Sequence, residues 1–368
     1  MNKSRKLNKP TNLYSHIKTG QTVTLKNGAC AKRQTNGQFR FVKKTLCKKV
    51  NSRVGSREDK SDKKSSPVKI TRPGKVPKSA QQRFEDAKRI FLKENNISDD
   101  YLNKGIFFDK KLGDDKFIKL LDFIPKDITK LMLYNNNLGV ESAKALAEKM
   151  PPKLEALNLN FNNIGDEGIK VLAEKLPDTL HGLILDQNGL GDEGAKALAK
   201  KLPDKLQVLS LDQNEIGDEG AKALANNLPS NLKKLMANFN EIGPDGAAAL
   251  AKKLPNGLEV LSLGGTRIRE KGAGALAKKL PNSLRELGLY ENNLKNAGVK
   301  ALAKNLPANL NTLYLDTNNI TASGAKELAK NLHNNISHLD IRFNKIGVSG
   351  KKELEDAGKL HPNLVIKF

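Results

Sequence analysis

Apolar residues 26 positions apart recur along most of this chain. Steps of 26 from Leu154 meet Leu180, Leu206, Leu232, Leu258, Leu284, Leu310 and Ile336, and steps backward meet Ile128 and Leu102. A fixed period of this size marks units too small to bury an apolar face alone, so each must stack on its neighbours to make a core. The spacing therefore predicts a solenoid of repeated units and, with it, a long surface for holding a partner.

Within one unit, Leu154, Leu157 and Leu159 alternate with exposed positions, which is the pattern of a strand. Leu172, Ala173 and Leu176 then fall at helical spacing, while Lys170, Glu174 and Lys175 point elsewhere. Each unit is read as strand, turn and helix. Asp166, Asp192 and Asp218 stand where a helix begins, so their carboxylates are expected to accept the free amides of that helix's first turn. Prolines from Pro151 to Pro307 recur at the same period and close the helices. Glycines from Gly168 to Gly324 recur one turn in, where a side chain would collide with the adjacent unit.

Asn136, Asn162, Asn188, Asn214, Asn240, Asn292, Asn318 and Asn344 all stand eight residues after the leading apolar position. There the chain leaves the strand with unpaired backbone groups inside the stack, and a buried amide side chain can both donate to and accept from them. This asparagine is structural rather than catalytic.

The composite pattern LxxLxLxxNxIG followed by GxxxLAxxLP resembles the leucine-rich repeats of the ribonuclease-inhibitor type, over residues from about 102 to 368. The resemblance implies an α/β fold. It would be a leucine-rich-repeat solenoid, or horseshoe, with a parallel sheet on its concave side, helices on its convex side, and partners bound mainly along the concavity. The uniform period of 26 and the presence of only two cysteines depart from the mammalian inhibitor, so ribonuclease binding is not carried over.

Four regions follow. Residues 1–50 form a basic N-terminal region and 51–78 a linker of disordered composition; 79–127 supply a capping helix and a degenerate first repeat; 128–368 hold the repeats and a C-terminal cap. Ser79 can cap a segment in which Phe84, Ala87, Ile90, Phe91 and Leu92 would cover the apolar edge. In the first repeat Lys110 replaces the asparagine, and Leu364 to Phe368 add a final strand.

Charge is uneven. Residues 1–82 hold 22 Lys and Arg against 3 acidic residues, a surplus of 19, within a whole-chain net charge of +24. Asn27-Gly28 and Asn36-Gly37 are turn signals between short runs near 21–25, 29–33 and 38–42, which suggests a three-stranded meander with Val23, Leu25, Phe39 and Phe41 on one face. Its Lys26, Lys32, Arg33, Arg40, Lys43 and Lys44 are candidate nucleic-acid contacts. A solvated basic tail or targeting signal is the alternative. No membrane-length apolar run or standard secretory signal is visible, and Cys30 and Cys47 fit a reducing compartment, cytoplasmic or nuclear.

The family resemblance places partner contacts at outward strand positions. Here these include Tyr134, Asn158, Phe161, Ile184, Asp186, Asp212, Met236, Phe239, Ser262, Tyr290, Tyr314, Asp316 and Arg342. Rigid aromatic rings beside acids and an arginine suit a recognition surface; the alternative for Phe161, Phe239 and Phe343 is inward packing of the turns. Two irregularities interrupt the array. Ala237 replaces a strand leucine, and the next unit reads GGTR from Gly264 to Arg267, with Thr266 in place of asparagine. Drift, or a contact needing close backbone approach, would each account for it.

No catalytic, metal or cofactor constellation emerges. The expected function is a non-enzymatic module that binds a protein along the concave face, without a small-molecule substrate. The Lys- and Asn-rich composition is compatible with an effector delivered into a host cell by a host-associated microbe. One alternative makes the basic N-terminal region a nucleic-acid or nuclear-targeting element. A second is GTPase activation, implied by a class of activators with similar repeats, with Arg267 and Arg269 as its candidate arginines. A third lays the basic tail against Asp186, Asp212 and Asp316.

Overall fold

A computed structural model describes residues 22–24, 30–33, 39–42 and 78–368. They belong to two compact units divided between Val76 and Pro77.

In the first unit, β1 (Thr22–Thr24), β2 (Cys30–Arg33) and β3 (Phe39–Val42) form an antiparallel meander in the order β1-β2-β3. The register aligns Val23 with Ala31 and Phe41, and Thr22 with Lys32 and Arg40. The strands thus fall between the Asn-Gly turns that the sequence offered. Leu25, Lys26, Lys43, Lys44 and residues 51–77 lie outside the described residues.

The second unit is the solenoid. Three helices precede its first full strand: α1 (Ala80–Glu94), α2 (Asp99–Lys104) and α3 (Gly113–Leu120). Strands and helices then alternate as β4 (Lys130–Met132), α4 (Val140–Glu148), β5 (Ala156–Asn158), α5 (Gly165–Ala173), β6 (Gly182–Ile184), α6 (Asp192–Ala199), β7 (Val208–Ser210) and α7 (Asp218–Asn227). They continue as β8 (Lys234–Met236), α8 (Pro244–Lys253), β9 (Val260–Ser262), α9 (Arg269–Ala277), β10 (Glu286–Gly288) and α10 (Lys295–Ala303). The last are β11 (Thr312–Tyr314), α11 (Ala322–Asn331), β12 (His338–Asp340), α12 (Gly347–Leu360) and β13 (Val365–Lys367). Strands β4 to β13 make one open parallel sheet in sequence order. Strands pack about 4.8 Å apart and helices about 8–10 Å apart, so the stack bends with its sheet on the inner side.

The register explains why leucine repeats at the strand centre. Leu131, Leu157, Leu183, Leu209, Leu235, Leu261, Leu287, Leu313 and Leu339 pair in one continuous row, each at most 1% exposed. Burying such a side chain stabilises by about 2 kcal/mol gross, and the row extends from unit to unit. The helical glycines belong to the same packing: a β-carbon on Gly168 would press on Ile164 and on Ala143 of the preceding unit.

The asparagine forms a ladder running backward along the chain. Asn214 donates through Nδ2 to the carbonyls of Leu185 and Leu211, both at 3.0 Å, and its Oδ1 accepts from the amides of Asn188 (3.1 Å) and Leu190 (3.0 Å). Its side chain therefore closes the turn of the unit before its own. At Thr266 the ladder changes: the hydroxyl lies within hydrogen-bond distance of Leu263 O and Asn292 Oδ1, in its own and the following unit.

The aspartates correct the sequence expectation. Asp192 opens α6, yet its Oδ1 accepts from the amides of Gly217 and Gly220, both at 2.8 Å, at the start of α7. Asp218 does the same for Gly243 and Gly246, both at 2.7 Å, and Asp166 for Gly191 at 2.7 Å. Each carboxylate caps the helix of the next unit because stacking brings that helix start alongside it.

The N-terminal edge is covered by α1, whose Ser79 and Gln82 form a reciprocal capping box. Leu92 is buried, and the rings of Phe91 and the partly exposed Phe84 each meet Phe123 at 5.5 Å against the core, whereas Ile90 is exposed, so the cover is narrower than the sequence suggested. Leu102 is buried in α2 rather than in a strand, and the first unit's strand is reduced to a bridge between Ile106 and Met132. At the other edge, β13 pairs in parallel with β12.

Candidate protein-binding face

A three-residue strand points its central leucine inward, leaving its flanking residues on the open face. Asn158, Ile184, Met236, Ser262 and Tyr314 end their strands and are partly exposed there. Tyr134, Asp186, Asp212, Tyr290, Asp316 and Arg342 follow two residues later, with Phe161 and Phe239 one further on. All thirteen residues expected at a partner surface lie along this face or its rim.

The turn after each strand has a conformation that the sequence did not announce. Phe161, Gln187, Gln213, Phe239, Glu291, Thr317 and Phe343 hold φ between +50° and +56°, in the left-handed region that favours glycine. This backbone turns the side chain outward. Phe161, Phe239 and Phe343 are accordingly exposed, Phe343 by 78%, which excludes inward packing of the turns. The guanidinium of Arg342 lies 5.8 Å from the Phe343 ring centre.

Asp186 and Asp212 have an internal task. Asn160 Oδ1 accepts from the Asp186 amide and its Nδ2 donates to Asp186 Oδ2, both at 2.9 Å. Asp186 Oδ1 accepts from the Asp212 amide at 2.9 Å and from the Ser210 hydroxyl. Asp212 accepts from the Asn238 amide (2.7 Å) and Nδ2 (3.0 Å), and Asn238 Oδ1 accepts from the Gly264 amide and the Ser262 hydroxyl, both at 2.7 Å. These side chains bind the backbone just beyond each next strand, so the outward location of the two acids is coupled to the integrity of the sheet rim. Burial pushes the Asp212 carboxyl above its ordinary range against the lowering effect of Asn238, and Asp186 beside it acts in the same upward direction. Asn160, Ser210 and Asn238 were missed as members of this row; their signal is a short polar side chain at or near the same offset in four successive units.

Five of the aromatics on or beside this face fall into two clusters. Tyr134 lies between Phe108 and Phe161, with ring centres at 6.3 and 5.0 Å. Phe239 and Tyr290 meet at 5.8 Å. The second cluster explains the double glycine: a β-carbon on Gly264 would overlap the Tyr290 ring, and one on Gly265, whose φ is +62°, would overlap Phe239. Close approach is required there by the chain's own rings.

Toward the C-terminal side, Asp340 binds Arg342 through Nε at 2.9 and 3.1 Å and through Nη2 at 2.6 Å. Burial raises the Asp316 carboxyl, as does the neighbouring Asp340. Burial, with Asp212, Asp316 and Glu291 nearby, pushes the Tyr290 phenol up to about 12. Arg267 pairs with Glu241 at 3.2 Å, and Arg269 opens α9 with φ +53°. Among the described residues, no helix is long and apolar enough to cross a membrane.

A family model described as leucine-rich repeat matches residues 151–173, 179–199, 205–225, 307–329 and 333–354. It covers repeats on both sides of the irregular units and does not distinguish the ribonuclease-inhibitor type. No curated protein matches the chain. Among solved structures, a chain from the crystal structure of the Rad7 and Elc1 complex in yeast is similar at 18% identity, covering 78% of this chain and 88% of that one, with a TM-score of 0.39. An internalin from Listeria monocytogenes is similar at 18% identity, covering 68% of this chain and 69% of that one, with a TM-score of 0.43.

Proposed function

Because the chain is built of leucine-rich repeats, we propose that it is a non-enzymatic recognition module that binds a partner protein along the open face of its parallel sheet. The observation that carries this reading is the set of outward aromatic residues, Tyr134, Phe161, Phe239, Tyr290 and Tyr314, along a face that no other described element covers. Rings with two torsions lose little entropy on binding and often anchor interfaces. The ribonuclease-inhibitor type of repeat, with its concave binding mode, is part of the same reading, as is a role for the protein as an effector, which rests on composition.

Phe161 and Tyr314 are the better probes of this face than Asp186 and Asp212, whose replacement would also disturb the rim. A photo-crosslinking residue at either position should capture the same partner, and Phe161→Ala with Tyr314→Ala should weaken its binding at least tenfold, about 1.4 kcal/mol. Crosslinks confined to the helical side would reject the surface.

A second reading assigns nucleic-acid binding or nuclear targeting to the N-terminal region. Its support is the surplus of 19 positive charges in residues 1–82 and the row that aligns Lys32 with Arg40. Residues 1–82 should then bind DNA or RNA with affinity falling steeply as salt rises; a flat salt response removes it.

A further inference from the structure

We propose that the edge of the solenoid at the C-terminal ends of α6 to α11 holds the phosphate backbone of a DNA duplex. This is independent of both readings above, because the open face and residues 1–82 involve other side chains.

The sequence marks this edge by a change of charge. At the ends of α4 and α5 stand Glu148-Lys149 and Glu174-Lys175, one charge of each sign. The same two positions read Lys200-Lys201, Lys252-Lys253 and Lys278-Lys279 at α6, α8 and α9. They read Asn226-Asn227 at α7, Lys304-Asn305 at α10 and Lys330-Asn331 at α11. A helix dipole attracts cations to such an end, but α4 and α5 have the same dipole and carry no excess. The partners also differ. Lys149 and Lys201 pair with Asp122 and Glu174. Lys252, Lys253, Lys278, Lys279, Lys304 and Lys330 are exposed, and among the described residues none of them pairs with an acid. From α6 to α11 the connections that lead to the next strand hold two acids, Asp204 and Glu259, and Glu259 faces Lys233 at 3.5 Å.

What lies around these cations selects the occupant. Helices stacked about 8–10 Å apart carry the row over roughly 40–50 Å from α6 to α11, more than one turn of a duplex at about 34 Å. Between α7 and α8 a groove of about 470 Å³ is lined by Lys222, Asn226, Asp245, Ala248, Ala249, Lys252 and Lys253. Asp245 pairs with Lys271 and Lys222 with Glu219, so Lys252 and Lys253 give the groove its charge, and its alanines leave room for a phosphate. Exposed amides of Asn226, Asn256 and Asn282 stand on the same ends, and phosphate oxygens accept from such groups. A protein partner needs an apolar centre to its interface, and a bilayer is held firmly where apolar side chains enter it. Among the described residues between Lys200 and His338, the one exposed large apolar side chain is Phe239, at the rim of the open face. An edge of lysine and asparagine without such anchors fits a phosphate backbone and reads no base.

Acetylation of each lysine in the full chain, read by mass spectrometry with and without a DNA duplex of about two turns, tests this edge. Lys252, Lys253, Lys278 and Lys279 should be modified about fivefold more slowly with the duplex, and a duplex of scrambled sequence should protect them equally. Lys153 and Lys175, exposed on the same edge where the charge is mixed, should be modified as before. Protection confined to residues 1–82, or equal protection of Lys153 and Lys175, overturns the proposal, and neither result needs a variant. The full chain carrying Lys252→Glu, Lys253→Glu, Lys278→Glu and Lys279→Glu together should bind the duplex at least tenfold more weakly at about 0.1 M salt, with a log–log salt slope smaller by about 3. An unchanged slope also overturns it. Phosphatidylserine vesicles and polyglutamate, each matched to the duplex in charge, should leave the four lysines reactive; protection by either as strong as that by the duplex overturns the assignment to nucleic acid.

Discussion

The ring of Tyr290 occupies the space that a β-carbon on Gly264 would need. The glycine pair at 264 and 265 therefore serves an aromatic cluster shared by three successive units, with Phe239 before it and Tyr290 after it. Gly264→Ala should force the Tyr290 ring aside and destabilise by about 1–3 kcal/mol. In a double-mutant cycle with Tyr290→Ala, the second substitution should relieve much of the first. Additive losses in denaturant unfolding would show that the ring yields freely.

Asp192 governs the helix after its own. Asp192→Ala should cost about 1–2 kcal/mol, as for other lost helix caps. Hydrogen exchange locates the effect: the amides of Gly217 and Gly220, which Asp192 accepts, should exchange faster, while the first turn of α6 stays as it was. Faster exchange confined to α6 would contradict the structure.

The asparagine ladder makes two opposite predictions. Asn214→Ala removes one buried side chain bonded to five backbone groups, and should destabilise by about 3 kcal/mol or more. Thr266→Asn restores the usual residue at a break in the ladder, and should stabilise by about 1 kcal/mol. Thermal unfolding of the two variants should move in opposite directions.

Thr317 is a β-branched, exposed residue with φ +56°. A branched side chain in that region is strained, and glycine is not. Thr317→Gly should raise stability by about 1 kcal/mol even though it deletes a side chain, and a fall of that size in chemical denaturation would reject the account.

The Tyr290 phenol ionises near 12 in the folded chain, against an ordinary value of 10.0. Its folded value is the higher one, so the folded state holds this proton more tightly. The associated stabilisation is fully present below pH 10 and is lost as pH rises from about 10 to about 12. Absorbance titration should show this tyrosine ionising last or nearly so. Asp212→Asn should ease it downward by removing one nearby negative charge, although burial, the larger cause, remains.

Leucine spacing and the asparagine offset made the parallel sheet, the helices and the open face legible, because each is a local pattern repeated at a constant interval. What the sequence concealed lies across that interval. Asp192 reads as a cap for the helix it opens, and only stacking shows that Gly217 is its partner, 25 residues away. Asp186 and Asp212 read as free surface acids because nothing local reveals the amides they accept from the following unit. The outward turn of Phe161 and Phe239 depends on a left-handed backbone that phenylalanine does not advertise.

Forward capping and backward lacing give each unit one debt to its predecessor and one to its successor. A copied stretch of 26 residues spliced into the regular part of the stack would bring a carboxylate for the helix downstream and an amide for the turn upstream, and would find both waiting for it. Growth by duplication thus needs no new chemistry at either joint, whereas a unit placed in reverse order would leave both its seams unmet.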